Sequence, residues 1–107
     1  MMMKQITFKV DELSMRLDTE KSDAINIGDK VQANFVFSED WDHYAKVAGF
    51  LRGRTEFKPA VLKNGSSCII PAGAINGTFF RITVFGKTSD SIRNTNGLIV
   101  NVGGDNR

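Results

Sequence analysis

Residues 35–50 read FVFSEDWDHYAKVAGF. They hold the chain's only Trp, His and Tyr, as Trp41, His43 and Tyr44, together with Glu39, Asp40 and Asp42. Acids, an imidazole and aromatic rings this close together suit a metal site, an acid/base pair or a sugar platform. They also suit an acidic turn between two strands with a tryptophan folded into the core. The flanking residues separate these readings.

On the N-terminal side, VQANFVF (31–37) places Val31, Ala33, Phe35 and Phe37 on one face and Gln32 and Asn34 on the other, the period of a half-buried strand. On the C-terminal side, YAKVAGFLR (44–52) is apolar with poorer alternation, which predicts a central strand covered on both faces. FVFSEDWDHYAKVAGF therefore reads as strand, turn, strand, with Trp41 turned inward and the acids keeping the turn soluble.

The same period runs outward in both directions. KQITFKV (4–10) points Ile6, Phe8 and Val10 one way, and SMRLDT (14–19) follows after an Asp11-Glu12 turn. Residues 20–30 form a polar connection in which Gly28-Asp29 suits a turn. Beyond the central strand, Gly53 marks a tight turn into RTEFKPAVL (54–62). Pro59 in that stretch cannot donate to a ladder and predicts an edge strand or a bulge.

Asn64-Gly65 within LKNGSSCII (62–70) is a hairpin signal. Residues 71–78 suit one helical turn opened by Pro71 and closed by Asn76-Gly77. TFFRITVFG (78–86) is a clear strand, with Phe80, Ile82 and Val84 on one face and Phe79, Arg81, Thr83 and Phe85 on the other. A polar loop (87–96), a last strand GLIVNV (97–102) and a flexible end (103–107) complete the chain.

Seven to nine short strands at roughly 8–12-residue spacing, with no helical stripe, point to an all-β antiparallel sandwich or barrel, and the preferred reading is an immunoglobulin-like β-sandwich forming one domain over 1–102. Its 107 residues suit a single core, and the eight Phe supply much of its filling.

Composition narrows the function. Fourteen basic and twelve acidic side chains leave a charge of +2 without blocks of either sign, which gives no support to nucleic-acid or membrane-surface binding. Apolar runs of about five residues fall far short of a membrane span. MMMKQ leads straight into a strand pattern, so synthesis in the cytoplasm is expected. Cys68, alone in SSCIIP, reads as a small buried hydrophobe.

No CxxC, HExxH or EF-hand spacing is present, so neither a metal nor another cofactor is expected. Phosphate-loop and nucleophile-elbow motifs are also missing. A glycosidase would place two carboxylates about 5–9 Å apart in a deep cleft, for which a small sandwich has little room. Phe79, Arg81 and Phe85 share a face in the manner of an RNA-binding strand, but a strand facing a second sheet needs the same aromatics for packing, and the core reading is preferred.

The order of these elements resembles a small β-sandwich domain of virion accessory proteins from phages infecting Gram-positive bacteria. The resemblance rests on the opening ITFKV strand, FSEDWD (37–42), GF-LRG, the KNG hairpin, CIIP, and FFRITVFG (79–86). It implies a non-enzymatic structural protein of the virion, serving as head fibre, decoration, tail or baseplate accessory. Its partners would be capsid, tail or baseplate proteins, and a homo-oligomer is compatible with that role. The basic residues Arg52, Arg54 and Lys58 beside the Pro59 edge are the candidate interface. The alternative is a carbohydrate-binding module that recognises a host cell-wall glycan through Trp41, Tyr44, Asp40 and Asp42. A third reading, an enzyme using His43 with Asp40 or Asp42, requires those groups to converge in a pocket.

Overall fold

A computed structural model describes residues 3–103 and contains ten strands. Of the tail expected over 103–107, only Gly103 is described, and its N–H donates to the Ile25 carbonyl at 2.7 Å; residues 104–107 lie outside the described residues.

Strands β1 (Lys4–Asp11), β2 (Ser14–Asp18), β3 (Val31–Phe37) and β7 (Ser67–Ile69) form one sheet in the order β2-β1-β3-β7. The second sheet runs β10-β8-β4-β5, from β10 (Leu98–Asn101), β8 (Phe79–Lys87), β4 (Ala45–Arg52) and β5 (Thr55–Glu56). Strand β6 (Ala60–Val61) also pairs with β4, and β9 (Ile92–Asn94) with the end of β8. The sheets face each other as the expected sandwich. Ile6, Phe8, Val10, Val31, Ala33 and Phe35 of the first sheet bury against Ala48, Phe50, Phe80, Ile82, Val84 and Val100 of the second. The inward sets foreseen for 4–10 and 31–37 are buried as expected, except that Phe37 is half-buried.

Several expectations need correction. The pairing is not wholly antiparallel: β1 and β3 run parallel over seven residue pairs, Lys4↔Val31 to Val10↔Phe37. The polar connection after β2 makes this possible by returning the chain to the start of the sheet. It also covers β1 past the end of β2. The Ser22 hydroxyl and Asp23 carboxylate accept the Thr7 and Gln5 N–H groups at 2.9 and 2.8 Å.

The single strand expected over 54–62 is two short ones, β5 and β6, interrupted where Pro59 lacks an N–H. The Asn64-Gly65 turn closes a hairpin of a single antiparallel pair, Lys63↔Ser67, rather than one between two long strands. It carries the chain from β6 in the second sheet to β7 in the first, with Asn64 and Gly65 at φ 51° and 72°. The polar loop expected over 87–96 contains β9, reached through a turn in which the Thr88 hydroxyl accepts the Asp90 and Ser91 N–H groups. The expected helical turn is present as a 3-10 turn at Ala72–Ile75.

Strand β4 is central within its sheet but is not covered on both faces. Ala48 and Phe50 are buried, whereas Val47, Gly49 and Leu51 are half-exposed on the outside.

Cys68 is buried on β7, and desolvation raises its thiol pKa to about 11. The thiolate is the species that reacts. Iodoacetamide in mildly alkaline buffer should therefore label Cys68 slowly in the folded protein and rapidly after denaturation; equal rates would place the thiol at the surface.

Candidate interaction surface

The stretch 35–50 is a clamp that closes one end of the sandwich. After β3, the 3-10 turn Glu39–Trp41 drops the indole into the core, where Trp41 is 0% exposed. Its Nε1–H donates to the Glu12 carbonyl at 2.6 Å, tying this turn to the β1–β2 turn. Phe8, Phe35, Phe37, Trp41 and Tyr44 follow one another with ring centroids 5.2–5.9 Å apart, spacings at which aromatic pairs attract.

Arg93 of β9 covers this aromatic row. Its guanidinium lies 5.1 Å from the Trp41 ring centroid and 4.5 Å from that of Tyr44, and Nη1 donates to the Asp40 carboxylate at 2.8 Å. Arg93 Nε is buried without a hydrogen-bond acceptor, so the ring faces beside it are its compensation. The Tyr44 hydroxyl is 2.8 Å from that of Ser91. The Ser38 hydroxyl bonds the other Asp40 oxygen and accepts the Glu12 N–H.

This geometry corrects the sugar-platform expectation. The Trp41 indole is wholly buried, and Tyr44 is half-buried with Arg93 over its ring, so neither offers an open face to a saccharide. Asp40 is engaged with Ser38 and Arg93, and Asp42 faces solvent on the turn. The convergence that an acid/base site needs is also missing. His43 is exposed, and among the described residues no hydrogen bond or ion pair joins it to Asp40 or Asp42. Nor, among the described residues, do three His, Cys, Asp or Glu side chains meet where they could hold a metal ion.

Hydrogen bonds from Ser38 and then Arg93 hold the Asp40 pKa below its ordinary 3.8. The ionised carboxylate therefore stabilises the fold above about pH 3.8, and that contribution is lost as pH falls through the lower folded-state value. Asp40→Asn should be less stable than the parent at neutral pH. The gap should narrow only below pH 3.8 in acid titrations followed by circular dichroism; a gap that stays constant into strong acid would remove the ion pair from the account.

Nothing in the sequence marks Arg93, because its partner Asp40 lies 53 residues away.

The second feature is the outer face of the β10-β8-β4-β5 sheet. Phe79, Arg81, Phe85 and Lys87 are exposed on β8 while Phe80, Ile82 and Val84 are buried. The core role expected for Phe79, Arg81 and Phe85 is thus reversed, because β8 meets the other sheet only through its alternate residues. Directly paired residues share a face. The registers Val61↔Val47↔Phe85, Leu51↔Arg81↔Ile99 and Lys87↔Ile92 therefore gather one apolar surface. Phe79, Phe85 and Ile99 are 43–47% exposed, and Val61 and Ile92 73–75%.

The Phe85 ring lies across Gly49, where a Cβ would come within 3.0 Å of it. Beside it, Gly49, Leu51, Phe57, Pro59, Arg81 and Phe85 line a shallow groove of about 150 Å³. A larger cleft of about 330 Å³ lies between residues 22–25 and β10, but the Ser22 and Asp23 side chains there are engaged with β1.

The three candidate interface residues fall differently. Arg54 and Lys58 are exposed in the turns on either side of β5. Arg52 is half-buried, and its Nε donates to the Gly73 carbonyl at 2.8 Å, which holds the 3-10 turn in place.

No protein family, curated protein or solved structure matches this chain.

Proposed function

We propose that the chain is a non-enzymatic docking module of a phage particle, held to a larger virion protein through the outer face of the β10-β8-β4-β5 sheet. The observation that carries the docking reading is that face. Phe79, Phe85, Val61, Ile92 and Ile99 are exposed together on registered strands rather than scattered singly. Contiguous apolar patches of a few hundred Å² mark contact sites on soluble domains. The four strands are unequal in length, from nine residues in β8 to two in β5, and at about 3.4 Å per residue and about 4.8 Å per strand their outer face spans on the order of 400 Å². Repeated copies on a symmetric particle would turn such a contact into firm attachment.

The virion setting rests on the resemblance carried by FSEDWD (37–42) and FFRITVFG (79–86). We also read the strand order as immunoglobulin-like, with β3 and β7 in one sheet and β10-β8-β4-β5 in the other; the parallel β1 departs from a wholly antiparallel sandwich. The glycan alternative would need some surface other than Trp41. Electron microscopy of purified particles, with this protein labelled, tests the setting. Label at regular positions on head, tail or baseplate is expected, and particles free of label would refute it.

A further inference from the structure

The apolar face carries charges of one dominant sign within it and beside it. Arg81 and Lys87 stand on β8, and Arg54 and Lys58 flank β5, all four exposed. Among the described residues, none of the four has a carboxylate within ion-pairing distance. Glu56, paired in register with Leu51, is the acid on the same face. The groove beside Gly49, about 150 Å³, is too small for a drug-sized ligand. A cavity of that volume takes a group the size of benzene, which is the bulk of one large apolar side chain.

Three kinds of occupant can be weighed. Face-to-face pairing with a second copy would bring these cations against one another, and like charges across an interface oppose association. A nucleic-acid strand would satisfy the cations, but Phe79 and Phe85 are six residues apart on β8, about 20 Å. Arg81 and Thr83 stand between them on β8, and the neighbouring strands add aliphatic Val47, Leu51 and Ile99, so there is no aromatic ladder for successive bases to stack on. A polypeptide that alternates apolar and acidic side chains meets both features at once.

We propose that this face binds an acidic, apolar segment of another protein. One apolar side chain enters the Gly49 groove while neighbouring carboxylates meet Arg54, Lys58, Arg81 and Lys87. The proposal rests on the docking reading and adds the chemistry of the partner.

The test uses the isotope-labelled full chain, followed by amide NMR during titration with a short synthetic peptide alternating leucine and glutamate. A leucine–lysine peptide and an oligothymidylate are run in parallel, and sedimentation of the protein alone reports self-association. The leucine–glutamate peptide should shift amides of β4, β8 and β10. Its affinity should fall about tenfold in Arg81→Glu/Lys87→Glu and fall again as salt rises.

Equal or stronger binding of the leucine–lysine peptide on the same amides would overturn the acidic partner while leaving the face a docking surface. So would self-association through those amides. Stronger binding of oligothymidylate there would overturn both readings, as would shifts confined to other surfaces or no shifts with any probe.

Discussion

Replacing Trp41 with alanine is expected to remove about 3–5 kcal/mol of folding stability, the range for truncating a large buried aromatic residue. The indole is fully buried, touches Phe37 and Tyr44, carries the Arg93 guanidinium and bonds the Glu12 carbonyl. Its loss opens a cavity at the end of the sandwich and frees the β1–β2 turn, where Glu12 sits at φ 56°. Trp41→Phe keeps most of the packing but drops the Nε1–H donor, so it should cost less, about 1–2 kcal/mol. Urea unfolding followed by circular dichroism measures both. A loss below about 1 kcal/mol for the alanine variant would mean the ring is not core.

Gly86→Ala is expected to destabilise by about 0.5–2 kcal/mol net, although alanine in a strand would ordinarily help. Restricting the unfolded chain at a compatible position gains about 0.4–1 kcal/mol. Overpacking a filled core costs about 1–3 kcal/mol. Here a Cβ would stand 2.7 Å from Trp41 Cζ3 and 3.1 Å from Tyr44 Cδ2. Neither ring can withdraw, because Arg93 lies over both from the solvent side and Phe37 packs against the indole. The clash therefore outweighs the entropy. In a double-mutant cycle, Trp41→Phe should relieve the Gly86→Ala penalty by about 1 kcal/mol, whereas additive losses would show that the two sites do not meet.

How much of this could be read in advance differs from element to element. Strands β3 and β8 were legible because each buries one alternate set, and that pattern is written in Val31, Ala33 and Phe35 and in Phe80, Ile82 and Val84. The inward turn of Trp41 was legible because apolar strands flank an acidic turn. The outward aromatics were not, since Phe79 and Phe85 have the same composition as core side chains and only the position of the second sheet distinguishes them. The parallel β1–β3 pairing was equally hidden. It follows from how side chains of the 19–25 connection cap β1, a relation between residues 15 or more positions apart. The structural role of Arg52 is hidden in the sequence because its acceptor is a backbone carbonyl on a distant 3-10 turn.

The interaction surface was consequently half-foreseen. The charge of Arg54 and Lys58 beside the Pro59 edge is visible in the sequence, and both side chains are exposed next to β5. The apolar centre of that face was read as core. Period-two alternation shows that a strand has two faces but not which one meets water when both are apolar.

The central claim is that the outer face of β8 and its neighbours attaches the protein to a larger assembly. It is tested most directly by producing particles in which this protein carries Phe85→Asp, with Lys9→Glu on the opposite sheet as the control. Phe85 is 43% exposed, so the substitution leaves the core intact, and matching unfolding curves would verify this. The account predicts that purified particles lose the Phe85→Asp protein and retain the Lys9→Glu protein at the parental level. Parental retention of a folded Phe85→Asp protein would contradict it.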